Sequence, residues 1–319
     1  MRALARNAVA ALLLASAAAA QPANPTRGPA FGGYGPAHSG YGPAAGVTRP
    51  APAAFPIADY AAVAFDADSV KQADGSEVLA WANVGGAGAA LDASATTGTA
   101  PTYYNNVVNG HGAVRFGGTN QFIQTTADVP MTDRCSLIAV VRFTSATASY
   151  PMIAILGNLA KIELRGYSTQ LRLNYLYVGG AGIVVGAADA VALNEWHILE
   201  GVYNLAAAFM FIDGTQKGTQ TGAAADPGTP RPLVLGHRVG TSYQLVGDIA
   251  YVLAVTTDLA VANRQNLEGQ LAWRYGLQGN LPPGHPYHDT PPTGLARKTP
   301  ASTTTSTTTT PTSTITTTT

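Results

Sequence analysis

Apolar and polar residues alternate through the middle of the chain. Leu137, Ala139, Val141 and Phe143 fall on one side of an extended segment, because successive side chains of a strand point to opposite faces. Over residues 170–178, Leu171, Leu173, Tyr175 and Tyr177 share a face, with Gln170, Arg172 and Asn174 opposite. Ile249, Tyr251, Leu253 and Val255 form a third such face, and residues 113–116, 161–165, 196–203 and 233–235 read as further strands. The run 209–212 leads straight into Asp213-Gly214, a pair suited to the left-handed backbone of a two-residue hairpin. Many short strands separated by turn residues predict an all-β antiparallel sandwich or barrel, not a parallel sheet with crossover helices.

The period changes once. Between residues 260 and 275 turn residues are scarce, and Leu267, Leu271 and Tyr275 recur four apart. That spacing predicts one C-terminal helix, with Gly276 as its stop and Leu277 placed to pack back on the last turn. Gly269 interrupts an otherwise favourable helical run.

Composition divides the chain more sharply than the pattern does. Of 319 residues, 46% are hydrophobic and 11% charged, enough apolar material for a large core. Arg2 and Arg6 precede an apolar run ending at Ala18 and Ala20, the form of a secretory signal peptide over residues 1–20. Residues 21–54 make a Pro/Gly/Ala-rich linker in which Gly33-Tyr34-Gly35-Pro36-Ala37 returns as Gly40-Tyr41-Gly42-Pro43-Ala44. The folded domain is expected over 55–289, followed by a Thr/Ser/Pro-rich disordered tail, 290–319, open to O-linked sugars. Nothing after the leader is long and apolar enough to span a bilayer, which takes about 20 residues.

Charge narrows the partners. Residues 59–289 hold all 18 acidic residues against 12 of the 18 basic ones, a net charge of −6, and no basic stripe interrupts them. Nucleic acid is therefore not the expected partner. The single cysteine, Cys135, has no internal disulfide partner and reads as a small buried filler.

Four stretches in order resemble the laminin-G-like domains of the concanavalin A-like lectin and glucanase superfamily. They are Asp66 to Trp81 with Asn83 and Gly85-Gly86; Pro101-Thr102-Tyr103 with Asn109-Gly110 and residues 113–118; Trp196-His197-Ile198-Leu199 with Phe211-Ile212-Asp213-Gly214; and residues 268–277 with Leu281-Pro282 and His285-Pro286-Tyr287. The last is similar to the closing helix and tail of versions from phage, giant-virus and exported bacterial surface proteins. The resemblance implies a two-sheet jelly-roll sandwich with a sugar or protein ligand on its concave face or rim. It does not imply one function, because the fold hosts lectins, glycanases and scaffolds.

Catalytic chemistry is hard to place on this sequence. A retaining glycosidase needs two carboxylates about 5–5.5 Å apart, and the Glu-x-Asp-x-x-Glu strand of the superfamily's glycanases is absent. Asp66 and Asp68 read as one strand face at a structural edge, Asp74 and Glu77 straddle a turn glycine, and Glu195 and Glu200 point to opposite faces of one strand. His285 and His288 are separated by Pro286, and His197 lies in a core strand, so no transition-metal set forms. The resemblance leaves calcium open, with Asp74-Gly75 and Asp213-Gly214 as positions that are turns first. Glu163 and Arg165 share a strand face, as do Arg172 and Asn174 beyond a hairpin-length connection, so adjacent strands would place all four on one surface. These four are the candidate ligand-binding residues. The expected function is a non-catalytic secreted or virion-surface protein that binds glycan or a surface protein, without a required cofactor. A glycan hydrolase or lyase with a non-standard site, and a purely structural coat protein, are the alternatives.

Overall fold

The computed structural model describes residues 61–292, apart from 131–133, 146–151, 157–161, 168–169, 177–181, 205–206, 222–230 and 238–242. The leader, the linker and the tail beyond Pro292 lie outside the described residues. In chain order the strands are β1 (Val63–Asp66), β2 (Ala80–Trp81), β3 (Ala93–Ser94), β4 (Thr102–Val108), β5 (His111–Gly117) and β6 (Ile123–Thr125). There follow β7 (Arg134–Phe143), β8 (Met152–Leu156), β9 (Ile162–Tyr167), β10 (Gln170–Leu176) and β11 (Gly182–Ala190). The last are β12 (Trp196–Asn204), β13 (Ala207–Ile212), β14 (Thr215–Thr221), β15 (Leu233–Leu235) and β16 (Val246–Val255), before helix α1 (Val261–Tyr275).

Every strand pairing is antiparallel, and the strands form two sheets. The first runs β14-β13-β12-β7-β16-β5-β4, with β1 also paired to β16; the second runs β11-β10-β9-β8-β15-β6-β3-β2. Their inner faces make one core, in which Leu137, Ala139 and Val141 of β7 join Phe116, Ile123, Ile153, Leu164 and Leu235. Cys135 is buried in the same core. This is a two-sheet antiparallel jelly-roll sandwich with one C-terminal helix.

The helix covers part of the first sheet's outer face. Leu267, Leu271, Ala272 and Tyr275 pack on Ile138, Val140, Ile198, Tyr251 and Leu253. That second layer is why β7 and β16 are apolar on both sides, where alternation alone predicts one apolar face. A bulge between Ile249 and Tyr251 corrects the sequence reading of β16. One extra residue flips the side-chain phase, so Ile249 joins the inner core while Tyr251, Leu253 and Val255 face the helix.

Two expected punctuation marks are observed. Asp213 and Gly214 both take positive φ, 49° and 74°, the pattern of a hairpin turn whose twist suits its strands. Gly276 caps α1 at φ 73°, and Leu277 donates its amide to the Ala272 carbonyl at 2.7 Å. Among the described residues no helix is long and apolar enough to cross a membrane.

Candidate functional site

Beyond the reach of the helix, the outer face of the first sheet turns polar. Register places Thr102 opposite Arg115, Arg115 opposite Asp248, Asp248 opposite Arg142, and Arg142 opposite Trp196. Each points outward because its strand neighbours point in: Val114 and Phe116 flank Arg115, and Val141 and Phe143 flank Arg142. Tyr104, two residues along β4 from Thr102, lies on the same face. Five strands thus carry one line of side chains: Tyr104, Arg115, Asp248, Arg142 and Trp196. At about 4.8 Å per strand spacing, the line is about 19 Å long.

Its centre is a buried anion held from both sides. Arg115 donates from Nε to Asp248 Oδ1 at 2.7 Å and from Nη2 to Oδ2, and Arg142 donates from Nε and Nη2 to Oδ2. The Asp248 side chain is 1% exposed, against 39% for Arg115 and 21% for Arg142. Each guanidinium also lies over a ring, Arg115 at 4.4 Å from the Tyr104 centroid and Arg142 at 5.0 Å from that of Trp196. The hydrogen bond to Asp248 is the main reason the Arg115 pKa is raised. Two cations and one anion leave the row with a charge of +1, and its arginines still meet solvent. Trp196 Nε1, at one end, has no hydrogen-bond partner among the described residues.

The four residues picked from the sequence come together on the second sheet. Asn174 is opposite Glu163, and Arg172 is opposite Arg165. Leu164 between Glu163 and Arg165 points into the core, so the pair faces outward. Yet Glu163 is 0% exposed, and Arg165 Nε lies 3.3 Å from its carboxylate with the side chain 14% exposed. The Arg165 guanidinium also sits 5.3 Å from the Tyr243 ring. For Arg172 and Asn174 the structure describes the backbone position alone.

The acidic pairs have other roles. Asp66 and Asp68 do not share a strand face: β1 ends at Asp66, and Asp68 lies in a short 3-10 turn, Ala67–Ser69. Arg274 Nη2 bridges the two carboxylates at 2.7 and 2.8 Å, and His111 Nδ1 meets Asp68 at 2.6 Å. Asp74 accepts the Asn105 amide and Glu77 that of Gly98, on either side of Gly75 at φ 79°. Asp213 accepts the Ile198 amide and binds His197 Nδ1. Glu195 precedes β12, and Glu200 is buried on its outer face.

One carboxylate pair was invisible in the sequence. Glu200 of β12 and Glu268 of α1 flank Arg264, whose Nη1 is 3.7 Å from Glu200 and hydrogen-bonded to Glu268. His285 Nε2 reaches Glu268 at 3.1 Å, and Phe211 lies under the Arg264 guanidinium. Burial pushes the Glu200 pKa well up, and the Glu268 charge pushes the same way. Glu200, Glu268, Arg264 and His285 are all buried, so the cluster fastens the helix to the sheet.

Residues 116–260 match the family model of the concanavalin A-like lectin/glucanases superfamily. Over this stretch the chain is similar to concanavalin A-like lectins and glucanases. Arg142, Trp196 and Asp248 fall inside the match; β1 to β4 and α1, which lie outside it, complete the same sandwich. No curated protein matches the chain. Among solved structures, the botulinum neurotoxin serotype D binding domain is similar at 10% identity and a TM-score of 0.51, over 67% of this chain and 52% of that one. Domain 4 of an extracellular arabinanase from Geobacillus stearothermophilus, in complex with arabinotriose, aligns at 14% identity and a TM-score of 0.44, over 52% and 79%. The chain spans about half the length of the neurotoxin binding domain it resembles.

Proposed function

We propose that this protein is an exported, non-catalytic glycan-binding protein whose ligand lies along the row from Tyr104 to Trp196. The observation that carries the reading is the row itself. It is a line of arginines and aromatic rings across five strands, partly open to solvent, on a lectin-like sandwich. Planar guanidinium groups fixed in place suit a ligand studded with oxygen acceptors. The leader-like residues 1–20 support export. The non-catalytic part draws on the carboxylates described above. Glu200 and Glu268 are buried, and Asp66 and Asp68 are occupied by Arg274 and His111, whereas a glycosidase acid must reach its substrate.

The test is a glycan array probed with the purified full chain, with release of reducing ends measured in parallel. The expected result is binding without new chain ends, weakened by Arg115→Gln and unaffected by Arg172→Gln. Binding that responds to Arg172→Gln and ignores Arg115→Gln moves the site to the second sheet, where Glu163, Arg165, Arg172 and Asn174 stand. New chain ends that vanish on changing one acidic residue to its amide replace the reading with a hydrolase. An array without any bound glycan replaces it with a coat protein.

A further inference from the structure

We infer that the ligand of this row is an anionic glycan bearing carboxylates or sulfates, an inference that rests on the glycan-binding reading above. A neutral sugar gains most from an open aromatic face on which its C–H groups can stack. Here each ring in the row already carries a guanidinium, Arg115 over Tyr104 and Arg142 over Trp196. The ligand therefore meets arginine where a neutral-sugar site would offer aromatic surface.

The arginines are also not exhausted by Asp248. A guanidinium has five N–H donors, and Asp248 takes two from each. Apart from the bond between Arg115 and the Tyr104 hydroxyl, the remaining Nη donors stay available in the planar fork that fits carboxylate and sulfate oxygens. Each fork is pinned by a buried carboxylate on one edge and a ring on one face, so binding costs little side-chain entropy. The two backbones are separated by β16, two strand spacings or about 10 Å. Both guanidinium groups nevertheless converge on Asp248 Oδ2, so they present their free edges side by side to an anionic group of the ligand.

Charge placement supports the same conclusion. Residues 59–289 carry a net charge of −6, whereas the row carries +1. Attraction for a polyanion is thus local to these strands and not a property of the whole surface. At physiological salt the Debye length is about 8 Å, so the row's charge acts at contact range while more distant carboxylates are largely screened.

The experiment measures binding of the full chain to polygalacturonate, to a sulfated galactan and to neutral galactan, at about 0.05 M and about 0.5 M salt. The expected result is binding to either acidic polymer at least about tenfold tighter than to galactan, the worth of one charge-assisted hydrogen bond. That binding should weaken as salt rises. Arg115→Gln should weaken the acidic polymer by about tenfold. Asp248→Asn should tighten it, because the row passes from +1 to +2. Melting curves identify folded variants, and Arg115→Lys, which keeps the charge and loses the fork, serves if Arg115→Gln does not fold.

Equal, salt-insensitive binding of galactan overturns the anionic ligand and leaves the glycan reading standing. Failure to bind any of the three polymers counts against both. A folded Asp248→Asn that binds the acidic polymers no better overturns the inference. Duplex DNA bound as tightly as polygalacturonate overturns it as well, since general polyanion attraction would then suffice.

Discussion

Gly269, in the middle of α1, lies against the side chain of Tyr287 in the closing tail. A Cβ at position 269 would stand 2.6 Å from the Tyr287 Cβ and 2.7 Å from its Cγ. The tail is fixed there by two further bonds, Trp273 Nε1 to the Tyr287 carbonyl at 2.8 Å and Asn266 Nδ2 to the Tyr287 hydroxyl at 3.2 Å. The residue that weakens the helix as a sequence is therefore the seat on which the tail rests.

This contact reverses the usual sign of a substitution. Gly→Ala inside a helix ordinarily stabilises by about 1 kcal/mol. Gly269→Ala should instead lower the denaturation midpoint, because the clash is with the root of the tyrosine side chain and not its flexible end. Tyr287→Ala in the same chain should recover part of the loss. Urea denaturation of the native chain and the two variants checks this, and a more stable Gly269→Ala would show that the tail does not rest on the helix.

The docked face of α1 gives a second prediction. Leu271 is buried against the outer side of the first sheet, so Leu271→Asp should cost about 3 kcal/mol or more by burying an unpaired carboxylate. Gln270 is half-buried and bonds to Asn266 within the same helix. Gln270→Ala should cost no more than about 0.5 kcal/mol. Equal losses in thermal or urea unfolding would mean that the helix is rotated from this orientation.

Local features were the legible ones. Asp213-Gly214 specified its turn, and the 267-271-275 spacing with Gly276 specified the helix and its end, because each signal is contained within a few residues. Ile249 was assigned to the wrong face, since a bulge leaves no mark in an apolar run whose two sides are both buried. The shared outward face of Glu163 and Arg165 followed from alternation, but the complete burial of Glu163 did not. The row on the first sheet was out of reach altogether. Asp248 meets partners 133 and 106 positions away, and only strand order brings them together. An arginine at 115 and at 142, each amid apolar residues, was the one available hint.

Glu200 supplies a pH-dependent prediction. Its pKa is raised in the folded protein, chiefly by burial and then by the charge on Glu268, with Arg264 opposing; His285 and Phe211 complete the surroundings. A carboxyl with a raised folded pKa favours folding while protonated. Its contribution is full below the unfolded pKa and is lost as pH rises through the raised value. Glu200→Gln keeps the shape and removes the proton. Relative to the native chain, the variant should therefore gain stability as pH rises from about 4, near the unfolded glutamate pKa, to about 8. Urea midpoints at the two pH values measure the difference, and a constant gap would mean that Glu200 does not titrate between them.

The final prediction concerns how Asp248 shares its two arginines. With either arginine removed, the buried carboxylate keeps a cation bonded through Nε and Nη2. Arg115→Ala and Arg142→Ala should each be modest, about 1 kcal/mol, because the lost partner is itself partly solvated. Removing both leaves a carboxylate that is 1% exposed without a counter-charge, and uncompensated buried charges cost several kcal/mol. The double variant should accordingly exceed the sum of the single losses by about 1 kcal/mol or more. Adding Asp248→Ala to the double variant should return much of that excess, since the buried charge goes with it. Chemical unfolding of the native chain and the four variants closes the cycle. Additive losses would mean that Asp248 is hydrated in solution, and that the two arginines are not held by a common anion.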